Sequence, residues 1–258
     1  MILIAESKTM SSRQEEVKGT GLTGSRPLFD GTADAIMESL RDRSLEELCA
    51  EAGITMRLAA SLQRMIYEFP NKSLGIRAAE AFTGVVFRQL GLGGYDGAQK
   101  RFLNDNVRII SSLYGWLRPD DIIKPYRLDF KSHVAPMGET LMKYWKKDVT
   151  IALVKEPREK GDTEIINLLP SDAAKCVDWK LVKRFASVHK VDFKTVTGSD
   201  EMKTPNAGRL KELRGRLLDL IIRHRLSSSD EVASLESPDF MPDPAGPAYP
   251  SCLSFITA

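Results

Sequence analysis

The chain is poor in the residues that build metal centres and covalent scaffolds. Its 258 residues include three cysteines, Cys49, Cys176 and Cys252, and three histidines, His133, His189 and His224. No two of these six share a helical or hairpin spacing, so a zinc motif and a disulfide framework are not expected, and the thiols read as reduced. No apolar run approaches the ~20 residues needed to cross a bilayer, which argues against a membrane partner. The opening Met1-Ile-Leu-Ile-Ala5 is short, apolar and without a basic leader, so it reads as a buried first strand, and a cytoplasmic protein is the expectation. Neither sign of charge dominates: 37 Lys and Arg against 35 Asp and Glu leave a net +2. No nucleophile-and-base pair stands at a recognisable spacing, and Gly91-Leu-Gly-Gly94 lacks the spacing and following lysine of a phosphate loop. The sequence therefore calls for no cofactor, and the turn reading suits that glycine stretch.

What is present is one sizeable apolar fraction, 42% of residues, with no linker that would force a split into two cores. Residues 11–27 read as a polar loop. Helices are expected over about Gly31–Arg43, Leu45–Glu51 and from near Thr55, the second opening on Ser44 with Glu47 three residues on, as a capping box requires. A strand or helix edge is expected over Gly84–Leu90 and a helix over Asn104–Leu117, stopped by Pro119 and Pro125. Glu164–Leu169 and Val188–Val196 read as strands, and Gly208–Arg225 as the last long helix. Five prolines between Pro238 and Pro250 predict an extended tail over 238–258, outside the core, with Cys252–Thr257 as a possible edge strand.

Charge is unevenly placed. From Lys175 to Arg225 there are 13 Lys and Arg against 6 Asp and Glu, a local +7, whereas residues 226–258 hold 5 acidic residues and no basic ones. Such a segment predicts one positive surface, screened in part by the acidic stretch that follows.

Between Arg108 and Arg127 two prolines, a Tyr-Gly pair and a Tyr-Arg pair are wedged among apolar positions. Leu113-Tyr114-Gly115-Trp116-Leu117-Arg118-Pro119, then Pro125-Tyr126-Arg127-Leu128-Asp129, resembles the central signature of the YaaA family, the bacterial peroxide-stress proteins. The likeness continues in order through Lys8-Thr9, Ala81-Phe82-Thr83-Gly84-Val85-Val86-Phe87, Tyr144-Trp145, Ile166-Asn167-Leu168, and Lys211 with Arg214-Gly215. It departs at Ala5-Glu6-Ser7, where the family usually has Ser-Pro-Ala, at Leu169-Pro170 in place of Ala-Ser, and at Glu212 and Asp219, where basic residues are usual. The resemblance implies a single α+β domain over 1–237 with a mixed sheet surrounded by helices, a basic cleft and a helix-hairpin-helix element over 44–66. It also implies DNA binding that limits iron-driven damage under hydrogen peroxide.

Two elements could carry that binding. In the pair of helices joined at Ala52-Gly53-Ile54, a glycine turn would let N–H groups at the second helix start reach a phosphate, with Gly53, Thr55 and Arg57 at the contact. Such a contact grips the backbone and carries no base information. An ordinary αα-hairpin fits the same pattern, and Glu46, Glu47 and Glu51 make its first helix acidic. In the helix Arg209–Arg225, Arg209, Arg216 and Arg223 line the rim of a leucine-rich arc, while Lys211 and Arg214 project within it. A buried cation needs a partner, either an internal carboxylate such as Asp129 or Asp172 or an anionic ligand. Under the second alternative Lys8, Thr9, Tyr114, Arg118, Tyr126, Arg127 and Asn167 complete the anion site. The leading expectation is a DNA-backbone binder; the alternative is an enzyme acting on a nucleotide or other phosphorylated small molecule in that cleft, with branched or duplex DNA and a small anion as the respective partners.

Overall fold

The computed structural model describes residues 1–11, 15–16, 24–71, 74–134, 138–161, 163–196, 202–246 and 251–257. In chain order the first elements are β1 (Ile2–Ala5), β2 (Glu15–Glu16), α1 (Asp30–Ser39), α2 (Leu45–Ala52), α3 (Met56–Glu68) and β3 (Leu74–Arg77). Then come α4 (Ala78–Ala81), α5 (Val85–Arg88), α6 (Gly97–Asn106), β4 (Val107–Ser111), β5 (Gly115–Leu117) and β6 (Ile122–Ile123). They are followed by α7 (Leu141–Tyr144), α8 (Lys146–Lys160), β7 (Glu164–Asn167), α9 (Ser171–Ala174), α10 (Trp179–Val182) and β8 (Ser187–Val196). The last are β9 (Met202–Lys203), α11 (Ala207–His224), α12 (Ser229–Ala233), β10 (Phe240–Pro242) and β11 (Cys252–Thr257).

The central sheet runs β10-β11-β8-β7-β1-β4-β5, with β9 pairing β8. β1, β4, β7, β8 and β11 are mutually parallel, and β5, β9 and β10 are antiparallel to their neighbours. Strands covered on both faces read as continuous apolar runs, and Ile2, Leu3 and Ile4 are accordingly all buried. A second small sheet, β2-β3-β6, lies apart from this one. The fold is thus the expected α+β arrangement, a mixed sheet flanked by helices in one domain.

Local signals explain the helices. Ser44 and Glu47 form the reciprocal capping box that opens α2, and Gly53 ends it in the left-handed conformation with φ +65°. α11 opens on Asn206, whose side chain accepts from the Arg209 N–H at 3.0 Å. Its Gly215 is a packing requirement: a Cβ there would stand 2.6 Å from the Val86 carbonyl oxygen of α5.

Two expectations are corrected. The helix ends at Asn106 and does not continue to Leu117; Val107–Ser111 is instead a buried strand in the sheet, and Gly115 at φ +66° turns the chain into β5. The β-branched run Val-Arg-Ile-Ile favours the strand, and the Arg108 that breaks its apolar pattern is matched by Glu156, whose carboxylate takes Nε at 2.9 Å. The chain beyond Pro238 is also not outside the core. β11 pairs in parallel with β8 from Cys252 to Thr257, β10 pairs antiparallel with β11, and Phe240 and Phe255 are buried against Phe193. Prolines bar a helix there, yet six β-competent residues follow the last of them. Of the expected 11–27 loop, residues 12–14 and 17–23 lie outside the described residues, and Glu15–Glu16 forms β2.

Candidate anion-binding surface

In an open parallel sheet, ligands settle beyond the carboxyl ends of the strands where the connections switch direction. Here the chain leaves β1 toward β4 on one side and later returns to β7 on the other, so the switch point lies between β1 and β7. Lys8 and Thr9 follow β1, and Asn167 is the last residue of β7. Asn167 Oδ1 accepts from the Leu169 N–H at 3.0 Å, which shapes the turn that leaves the strand.

The segment 126–134 roofs this switch point through a series of ties. Tyr126 Oη donates to Glu6, and Lys8 Nζ reaches Asp129 Oδ2 at 2.6 Å, both on the β1 side. On the β7 side Lys131 Nζ stands 3.4 Å from Asp172 Oδ2. The same segment holds the α2–α3 hairpin: Ser132 Oγ donates to the Ala52 carbonyl at 3.3 Å and the His133 N–H to the Glu51 carbonyl at 2.7 Å. Lys8, Thr9, Lys131, His133, Gly53, Thr55 and Arg57 are all exposed. Thr55 gives α3 no side-chain cap, which leaves the first N–H groups of that helix open to a ligand.

Each titrating group has a physical cause. Burial among Ser111, Ser112 and Tyr126 pushes the Glu6 carboxyl up to about 7, although the Ser112 N–H at 2.8 Å and the tyrosine hydroxyl oppose the shift by bonding its charged form. Burial would raise Asp129 too, but the Lys8 ammonium outweighs it and holds that carboxyl below its usual range. Tyr126 is raised far above a normal phenol by burial and by Glu6, and burial pushes the nearby Cys176 thiol up to about 12. Glu6 was visible in the sequence only as a charge beside Lys8; the structure turns it inward. The usable signal was a lone carboxylate directly after a fully apolar strand.

The remaining expected residues are dispersed. Tyr114 is a core residue: its hydroxyl accepts from the Lys124 N–H at 3.1 Å and its ring meets Tyr126 edge-on at 5.9 Å. Arg118 sits at the opposite end of the sheet, because β5 runs antiparallel to β4 with Leu117 facing Ile109; its Nη2 stands 3.6 Å from Glu156. Arg127 lies in the roof, half-buried, with no ion pair or hydrogen bond among the described residues. Lys211 is exposed and does not project into the apolar arc. Arg214 is half-buried: its Nε is enclosed without a partner, and burial lowers its pKa against the opposing pull of Asp192. The carboxylates expected for it are taken, Asp129 by Lys8 and Asp172 by Lys131. Arg209 and Arg216 share Asp239, so the acidic stretch neutralises the rim of α11 directly. Asp219 accepts from the Gly91 N–H at 2.9 Å, from Tyr95 Oη at 2.5 Å and from Arg223 Nε at 2.6 Å, fastening α11 to the glycine turn.

The chain is a single α+β domain with a mixed central sheet flanked by helices. Residues 1–245 match the family model described as peroxide stress protein YaaA, and the chain belongs to that family. It is 28% identical over 235 residues to a UPF0246 protein of Parabacteroides distasonis, covering 90% of both chains. It is 31% identical over 169 residues to a UPF0246 protein of Porphyromonas gingivalis, covering 65% of this chain and 66% of that one. A UPF0246 protein of Bordetella avium is 28% identical over 227 residues, with 86% of each chain covered.

Proposed function

We propose that the protein acts in the peroxide-stress response by binding the DNA backbone, duplex or branched, without strong sequence preference, and so limits iron-driven damage to it. The peroxide context rests on the family description. The binding rests on one observation: the exposed hairpin tip of Gly53, Thr55 and Arg57 is tied through Ser132 and His133 to the segment that carries Arg127 and Lys131. Uncapped N–H groups at the start of α3, the positive end of its dipole and neighbouring cations are the parts a phosphate contact requires. In this reading the α2–α3 pair acts as a helix-hairpin-helix.

Glu6 supports a second reading, an enzyme acting on a nucleotide or other phosphorylated small molecule. A carboxyl that titrates near neutrality beside a tyrosine hydroxyl is equipped for proton transfer. Gel shifts with duplex and branched DNA across salt, alongside a nucleotide thermal-shift panel on the same preparation, test both. Backbone binding should give a slope near −0.9 in log K against log salt for each phosphate contact. A flat salt response rejects the DNA reading, and stabilisation by a nucleotide without DNA retention favours the enzyme.

A further inference from the structure

Helix α8 carries apolar residues on two faces, and only one of them is spent on the core. Val149, Ala152, Leu153 and Pro157 are buried and account for the place of the helix in the fold. Ile151, Val154 and Arg158 follow at spacings of three and four on a second face. With Leu181 of α10 and Phe185 just after it, they line an open groove of about 680 Å³. Ile151 is 49% exposed and Phe185 41%, so two large apolar side chains meet solvent at one place, which marks an interaction site. The Arg158 guanidinium stands over the Phe185 ring, 5.1 Å from its centroid, a cation–π contact that steadies the ring. The same ring borders a second hollow of about 580 Å³ at the start of β8, where Lys183 lines the wall.

Charge fixes the sign of what covers this surface. From Lys175 to Lys190 the chain has 5 Lys and Arg against 1 Asp. Lys180, Lys183 and Arg184 are exposed and make no ion pair among the described residues, and Arg158 is engaged by the ring and by no carboxylate. Lys155 alone of the groove's cations is matched, by Glu159 at 3.7 Å. We propose that the groove docks a partner protein through an acidic amphipathic segment. An aromatic or branched apolar side chain seats beside Phe185 and Ile151, and flanking carboxylates meet Arg158, Lys183 and Arg184. A nucleic-acid backbone would satisfy the cations but leave Ile151, Val154 and Phe185 wet, and a flat lipid surface would leave the concavity unfilled. This surface shares no residue with the anion-binding surface proposed above, and neither depends on the other.

The test begins with a random peptide library displayed on phage and selected on the full chain, after depletion on an unrelated protein. Enriched peptides should carry aromatic or branched apolar residues flanked by Asp and Glu. The most enriched peptide, synthesised with a fluorescent label, should bind Phe185→Ser and Ile151→Ser each about tenfold more weakly than the parent. Lys183→Glu should weaken it about fivefold and flatten its salt dependence. Lys183→Glu alters an exposed charge only, so it remains informative should either serine variant melt early. No enrichment, enrichment of basic sequences, or a peptide whose affinity is indifferent to all three changes overturns the proposal. The parent is also taken through a sedimentation concentration series, flotation with phosphatidylglycerol vesicles and a gel shift with short duplex. Self-association, vesicle binding or duplex retention that Phe185→Ser and Lys183→Glu abolish gives the groove to a second copy, a membrane or DNA, and likewise overturns it.

Discussion

The hydroxyl of Tyr126 donates to the carboxylate of Glu6, and Ser111 Oγ lies 2.8 Å from the same hydroxyl, so a desolvated acid is built into the end of the central strand. Burial raises its pKa from 4.5 to about 7. In the folded protein the proton is therefore held where the unfolded chain has released it. Between about pH 4.5 and 7 the folded state binds more protons than the unfolded one, and stability falls as pH rises through that window. Glu6→Gln should match the parent near pH 5 and exceed it by roughly 1–3 kcal/mol near pH 8. Denaturant melts at the two pH values check this; equal stabilities at pH 8 would reject a desolvated Glu6.

Glu156 carries the opposite sign. Burial would raise it, but Arg108 and Lys160 outweigh that and hold it at about 2. Arg108 is 1% exposed, so Glu156→Gln strands a buried guanidinium and should cost about 3–5 kcal/mol at neutral pH. The contribution of Glu156 is fully present above its unfolded value of 4.5 and is lost as pH falls toward 2. The gap between parent and variant should therefore close in acid, which unfolding free energies measured from pH 7 downward would show.

Arg57 is exposed and makes no ion pair among the described residues, so its charge can be reversed without a structural penalty. Arg57→Glu should leave the melting temperature within about 1 °C, because surface changes of this kind stay within ~0.5 kcal/mol. It should weaken DNA retention at low salt and lower the salt slope by about 0.9. Binding titrations across salt decide the matter, and an unaltered slope would remove Arg57 from the interface.

Phe255 is fully buried, with ring centroids 5.6 Å from Phe193 and 5.2 Å from Phe240. Phe255→Ala should destabilise by about 3–5 kcal/mol. A chain ending near Ser237 loses β10 and β11 together and should be insoluble, even though Asp239 no longer neutralises Arg209 and Arg216. Expression and thermal melts of both variants check the claim.

The periodic elements were legible in the sequence because their signals are local. The Ser44–Glu47 capping box, the α11 helix and the strands at β7 and β8 each follow from a few adjacent residues. Val107–Ser111 falls inside the helix expected over Asn104–Leu117, and only the distant Glu156 explains how an arginine sits in a central strand. Cys252–Thr257 is legible as a strand, but the prolines of 238–250 speak only for the residues they occupy and hide that β11 joins the core sheet. Of the expected site residues, Lys8 and Thr9 follow β1 and Asn167 ends β7, the two strands that flank the switch point. Arg118, in the same motif, is carried away by the hairpin that reverses direction at Gly115, whereas Tyr114, before the reversal, is buried against Tyr126. Glu6 was noted for its charge, but its depth depends on Tyr126, 120 positions away.

β1 also dictates how the molecule must assemble. Its partners are β4, where Val107 sits opposite Ile2, and β7, where Ile166 does. A chain emerging from the ribosome carries this oily strand with both edges open until those distant stretches have been made. Sheets closed by such far-separated parallel pairings fold slowly and leave sticky edges exposed on the way. Refolding from denaturant should accordingly be slow and concentration-sensitive, with aggregation as the competing route, and production of the protein should benefit from lower temperature or added chaperone.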